Sequence, residues 1–182
     1  MKKVDGIRVK TPVDEKTARS LRAGDPVLLD GVVYAARDMA HQRICQALEA
    51  GQAPPFDLEG AVIYFVGPTP ARPGRVIGAA GPTTSSRMDA FSPRLIAAGV
   101  RAMMGKGYRN EQVRKALAEY GAVHLSTLGG AGALLSQHII GAEVIAYEDL
   151  GAEAIRRLTV VDFPAIVAYD SHGQSVYARD AS

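Results

Sequence analysis

Six consecutive apolar residues, Ala61-Val62-Ile63-Tyr64-Phe65-Val66, stand between Gly60 and the strand-breaking Gly67-Pro68-Thr69-Pro70. A run of this kind, bounded by turn residues, predicts a strand covered on both faces. Such a strand needs layers on either side of it, and the rest of the chain has the elements to supply them. Ile7-Arg8-Val9-Lys10 alternates as a first strand, and Asp14 is placed to cap a short helix through Leu21. Residues 27–34 read as a β-hairpin with Asp30-Gly31 as its two-residue turn. A helix opens at Arg37-Asp38 and ends near Gly51, with Met39, Ile44, Ala47 and Leu48 near one face.

Beyond the apolar strand, Ser92-Pro93 combines an N-cap residue with a first-turn proline and starts a helix to Gly99. Ala102-Met103-Met104 is a short apolar strand, and Asn110 caps a helix that Gly121 closes. Residues 123–126, 144–147 and 165–169 read as further strands, and Gly129-Gly130-Ala131-Gly132 turns into a helix ending near Gly141. Residues 170–174 turn into Ser175-Val176-Tyr177. Alternation of strand and helix predicts an α/β fold, a mixed sheet with flanking helices, and the early hairpin predicts an extra antiparallel or mixed sheet. At 182 residues without repeats or low-complexity stretches, a single domain over 1–182 is expected.

Charge and cysteine content narrow the function. The formal net charge is only +2 and the basic residues are scattered, so nothing points to nucleic acid. Arginine outnumbers lysine 15 to 6, and arginine is the better residue for planar carboxylates. With one cysteine, Cys45, neither an internal disulfide nor a multi-cysteine metal site can form. The opening residues carry no apolar run, so no signal peptide is expected. No stretch approaches the ~20 apolar residues of a membrane span, and a cytoplasmic location is expected.

Gly81-Pro82-Thr83-Thr84-Ser85-Ser86-Arg87-Met88-Asp89 holds the densest chemistry. Hydroxyls and free backbone N–H groups near a helix start seat a carboxylate or phosphate, and arginine binds such an anion with two parallel bonds. No Gly-Lys-Ser/Thr follows at phosphate-loop spacing. The alternative is a polar loop that caps the next helix. Lys106 stands between Gly105 and Gly107, either open to a ligand or simply solvated in a turn. Arg37 opposes the dipole of the helix it begins, which suits an anion-binding role; alternatively it pairs with Asp38. His41 reads as a packed or surface histidine, Cys45 as buried and inert, and the other histidines lack metal-site spacing.

Taken together, Ala36-Arg37-Asp38-Met39-Ala40-His41, the 81–89 stretch, Met104-Gly105-Lys106-Gly107 and Asp162-Phe163-Pro164-Ala165 resemble the β subunit of class I, iron–sulfur-dependent hydro-lyases. That family comprises two-subunit fumarate hydratases and L(+)-tartrate dehydratases, and single-chain members carry the same segment as their C-terminal domain. The resemblance implies a swivelling β/β/α domain that packs on a separate α subunit, in a homo-oligomer or heterotetramer. It implies that the α subunit holds an iron–sulfur (4Fe-4S) cluster through three cysteines. It further implies that Arg37, Arg87 and Lys106 bind substrate carboxylates, with Thr83 at the reacting carbon as the base. Fumarate hydration is the expected activity, with tartrate dehydration or non-catalytic carboxylate binding as the alternatives.

Overall fold

The computed structural model describes residues 5–127 and 131–177. Seven strands make one mixed sheet: β1 (Ile7–Lys10), β2 (Pro26–Ala35), β3 (Val62–Tyr64), β4 (Ala102–Gly105), β5 (Val123–Ser126), β6 (Ile139–Ala146) and β7 (Ile155–Tyr169). β1, β2, β3, β4 and β5 pair parallel in that order. β7 runs antiparallel to β5, β2 and β6. Because β7 bonds both β5 and β2, the ring β2-β3-β4-β5-β7 closes into a barrel, with β1 and β6 attached outside the ring.

Closure gives the chain two apolar cores on the two sides of one wall. Val62, Tyr64 and Val66 join Val27, Leu29, Met104, Leu125 and Phe163 in the barrel interior. Their neighbours Ile63 and Phe65 face outward, onto a layer that includes Ile44, Leu95, Met103 and Leu117. Three helices, α2 (Asp38–Glu49), α3 (Ser92–Ala97) and α4 (Glu111–Tyr120), contribute to this outer layer. The period-two alternation of a strand therefore feeds both cores, which explains why the six-residue run carries no polar position.

Several local expectations hold. Asp14 accepts the Thr17 N–H at 2.6 Å and starts α1 (Glu15–Ser20). Asn110 accepts from Val113 N–H at 2.9 Å, and Gly121, left-handed at φ 70°, closes α4. Others are corrected. The hairpin at Asp30-Gly31 is absent: β2 runs straight through it, because β7 pairs on both sides of a bulge between Leu29 and Gly31. Gly31 at φ 120° absorbs the irregularity instead of reversing the chain. Ser92 is the first residue of α3 and not its cap; its hydroxyl donates to the Met88 carbonyl at 2.9 Å. On α2 the buried face is Ala40, His41, Ile44 and Cys45, leaving Met39 exposed.

The helix expected to end near Gly141 is one short α5 (Gly132–Leu135) followed by a 3-10 turn, and β6 already begins at Ile139. Gly129 and Gly130 of the predicted glycine turn lie outside the described residues. Of that turn, Gly132 packs so close to Gly81 that an added Cβ would lie 2.8 Å from its nitrogen, as expected of a packing glycine. The strand predicted at 165–169 is the end of the much longer β7. Asp162 at φ 49° and Phe163, edge-on to Tyr64 at 5.4 Å, sit mid-strand there.

Candidate active site

β3 and β4 separate at their carboxyl ends, and the segment after Pro82 fills the gap. Phe65 N–H still donates to the Met104 carbonyl at 2.8 Å. Beyond that point Thr83 N–H donates to the Phe65 carbonyl at 2.7 Å, while Lys106 N–H donates to the Thr83 carbonyl at 3.3 Å. Ser85 N–H then donates to the Lys106 carbonyl at 2.8 Å. Thr83 is thus held between two strand ends by its own backbone. Gly105 makes this possible: a Cβ there would lie 2.8 Å from the Phe65 ring and 3.1 Å from the Thr83 carbonyl.

Arg37 follows β2, Lys106 follows β4, and Arg87 lies on the 3-10 turn Ser85–Met88 just past Thr83. All four predicted residues therefore sit at the carboxyl ends of the adjacent parallel strands β2, β3 and β4. In α/β barrels and open α/β sheets alike, the carboxyl ends of parallel strands are the edge where ligands bind. The Thr83 hydroxyl and the Lys106 ammonium make no hydrogen bond or ion pair among the described residues, and Thr83 is half-buried.

Each arginine has an acidic neighbour. Arg87 is clamped by Asp38, with Nε 3.2 Å from Oδ1 and Nη2 2.6 Å from Oδ2. The alternative pairing of Arg37 with Asp38 is therefore not what forms. Arg37 instead lies across Gly67, where a Cβ would come within 2.6 Å of its Nη1. Its Nε faces Glu153 Oε1 at 4.0 Å, too far for a hydrogen bond, and both atoms are buried without a partner. Arg37 N-caps α2 with no side-chain bond to the helix.

Behind the loop stands a buried polar group that sequence reading missed. Arg109, 4% exposed, donates through Nε to Asp89 at 2.7 Å and through Nη1 to His124 Nδ1 at 3.1 Å, and it also bonds the Ser92 hydroxyl. Asn110 N–H donates to the other Asp89 oxygen at 2.9 Å. Asp89 ends the 81–89 stretch, so this network ties the loop to the start of α4. Arg109, His41 and His124 also surround the Phe65 ring at 5.3, 5.3 and 6.1 Å. Burial lowers the pKa of His41 to about 4, and burial together with the Arg109 charge lowers that of His124 as well, so both stay neutral. The signal for Arg109 was present in its place beside Asn110, but an isolated arginine in a linear chain does not announce burial.

Cys45 is buried on α2, and burial raises its thiol pKa, in line with an inert role. Among the described residues no group of histidine, cysteine or carboxylate side chains could hold a metal ion. Nor, among them, is any helix long and apolar enough to cross a membrane.

Such a domain is defined by a closed mixed barrel, helices on its outer wall and a cationic edge where three parallel strands end. The family model described as Fumarase C-terminus matches residues 1–180, and the chain belongs to that family. It is 37% identical over 169 residues to a Methanocaldococcus jannaschii chain provisionally named L(+)-tartrate dehydratase subunit beta, covering 90% of this chain and 87% of that one. It is 38% identical over 153 residues to fumarate hydratase 1, mitochondrial, of Leishmania major, covering 83% of this chain and 28% of that one. Against the aerobic class I fumarate hydratase of Escherichia coli K12 the identity is 35% over 153 residues, again 83% and 28%. The chain thus spans under a third of the length of these two fumarate hydratases.

Proposed function

We propose that this chain is the β subunit of a two-subunit hydro-lyase acting on a small dicarboxylate, with fumarate and (S)-malate as the substrate pair. One observation carries the reading: in a chain of this family, three cations and a free hydroxyl are delivered to the ends of three adjacent parallel strands. Arg37, Arg87 and Lys106 bind the substrate carboxylates, and Thr83 stands at the carbon that exchanges a proton. Fumarate and malate are dianions, so cations from this chain balance their charge through charge-assisted bonds. Taking a proton from the carbon beside a carboxylate spreads extra negative charge onto that carboxylate. Cations already aimed at it stabilise that transition state more than the ground state.

Thr83 suits a proton-handling role because its backbone is pinned on both sides and its hydroxyl is unclaimed among the described residues. A threonine alkoxide is costly near neutral pH, so the hydroxyl needs an acceptor behind it, which the reading assigns to the partner subunit. The donor set of this chain does not suit an iron–sulfur cluster: it has one cysteine, buried on α2, and no metal-binding cluster among the described residues. The 4Fe-4S cluster of this reading belongs to the α subunit, against which the domain, residues 1–182, swivels.

A second substrate is favoured by a specific observation. The Methanocaldococcus relative matches over most of both chains and is named as the β subunit of a tartrate dehydratase. L(+)-tartrate differs from malate by one hydroxyl and offers the same two carboxylates to these cations. The test is anaerobic co-expression of this chain with its α subunit and assay of fumarate, mesaconate and L(+)-tartrate. Turnover of fumarate supports the first reading and turnover of tartrate alone the second. A complex with intact cluster that turns over none of them overturns both.

A further inference from the structure

Asp38 is the first residue of α2, a position where a carboxylate ordinarily serves the helix's own N–H groups. Its oxygens go elsewhere. Both are taken by Arg87, 49 positions along the chain, and both bonds fall on one edge of the guanidinium, the Nε/Nη2 side. A guanidinium has five N–H donors in a rigid planar fork. The clamp uses two of them and leaves the Nη1 donors and one on Nη2 free. Arg87 has no other side-chain partner among the described residues, and half of its side chain is exposed.

We propose that Asp38 is the positioning residue for Arg87: it grips the Nε/Nη2 edge so that the Nη1/Nη2 edge is presented to a substrate carboxylate. The assignment rests on the reading that Arg87 binds substrate. Placement supports it. Asp38 directly follows Arg37, so the clamp fixes the turn carrying Arg87 to the same helix start that carries the second cation. An ion pair whose arginine is half exposed contributes modestly to folding, so the main contribution of Asp38 lies in orientation. Its charge argues the same way. A carboxylate beside an anion site opposes a dianion, and tolerating one there makes physical sense if it aims the arginine.

This gives a test with a sign. Removing the negative charge in Asp38→Asn strengthens dianion binding if charge alone matters and weakens it if orientation matters. The experiment is steady-state kinetics on the anaerobically reconstituted complex, with Asp38→Asn, Asp38→Ser, Arg87→Ala and the Asp38→Asn/Arg87→Ala double variant. Thermal unfolding and cluster content are measured alongside. Asp38→Asn is expected to raise KM and cut kcat/KM by about ten- to a hundredfold with nearly unchanged unfolding temperature. In the Arg87→Ala background it is expected to change nothing further, because the group it aims is gone. An unchanged or lowered KM in Asp38→Asn overturns the proposal, as do additive losses in the double variant. If both single Asp38 variants fail to fold, the carboxylate serves folding and the proposal also falls. Normal kcat/KM in Arg87→Ala is a different result: it removes the substrate-binding role of Arg87 itself.

Discussion

Arg109 and Asp89 form a buried ion pair, Nε to Oδ1 at 2.7 Å, directly beneath the loop that carries Thr83 and Arg87. Asp89 uses its second oxygen on the Asn110 N–H, and Arg109 uses its remaining nitrogens on Ser92 and His124. Each charge is compensated, which is the condition under which a buried pair is tolerated. Burial by itself lowers the basicity of Arg109, and Asp89 opposes that.

Removing one partner leaves the other charge buried and alone. Arg109→Leu is expected to destabilise the chain by about 3–5 kcal/mol. Urea unfolding followed by circular dichroism measures this. The double replacement Arg109→Leu/Asp89→Leu is expected to recover part of the loss, because no orphaned charge remains. If the single replacement costs no more than a surface change, the pair does not hold the loop.

Gly67→Ala is expected to act on Arg37. The new methyl would come within 2.6 Å of the guanidinium, which must swing away. Misplacing a substrate-orienting group by about an ångström costs up to about a hundredfold in kcat/KM, far beyond its effect on stability. Kinetics of the reconstituted complex, compared with its unfolding temperature, separate the two effects. Equal kcat/KM in the variant would remove Arg37 from the site.

Arg87→Lys keeps the charge and loses the fork, so a carboxylate gains one point contact in place of two parallel bonds. The expected loss is on the order of 2–4 kcal/mol of transition-state stabilisation, roughly 30- to 1000-fold in rate. Thr83→Val keeps the shape and removes the hydroxyl. Its kcat is expected to fall while KM changes little, because the loss concerns proton transfer. A Thr83→Val enzyme with near-normal kcat would end the proposed role of that hydroxyl.

Acid is expected to destabilise the fold through His41 and His124. With His41 at about 4 in the fold and near 6.5 when unfolded, the unfolded chain binds more protons between those values. The His41 contribution is therefore constant above about pH 6.5, and it is lost as pH drops toward 4, by on the order of 3 kcal/mol. His124 adds loss in the same direction. Chemical denaturation at a series of pH values measures the slope, and His41→Gln is expected to flatten it. A slope unchanged in that variant would show that His41 titrates alike in the fold and in the unfolded chain, and the burial effect would fall.

Much of the local structure was legible in the chain. The caps at Asp14 and Asn110, the closure at Gly121 and the two-faced strand around Ile63 all depend on interactions within a few residues. Such interactions are written in consecutive side chains. The resemblance carried by the 36–41, 81–89, 104–107 and 162–165 segments was legible for the same reason, since each is a contiguous string, and the family it pointed to is the one to which the chain belongs.

What the amino-acid order determined by itself was the strand–helix alternation, the helix starts and the absence of a cysteine set for a metal. The tertiary structure decided what partners those elements take. Asp30-Gly31 has every local mark of a hairpin turn, yet β7, entering from more than 120 residues away, pairs across it and turns it into a bulge. The same long-range pairing closes the barrel and extends β7 through Asp162-Phe163-Pro164, which no local periodicity announces. Asp38 with Arg87 and Asp89 with Arg109 are likewise set by distant segments. Local propensity differs between competing backbones by about 1 kcal/mol or less per residue, whereas ladder pairing and burial of a whole strand act over many residues at once, so the distant partner wins.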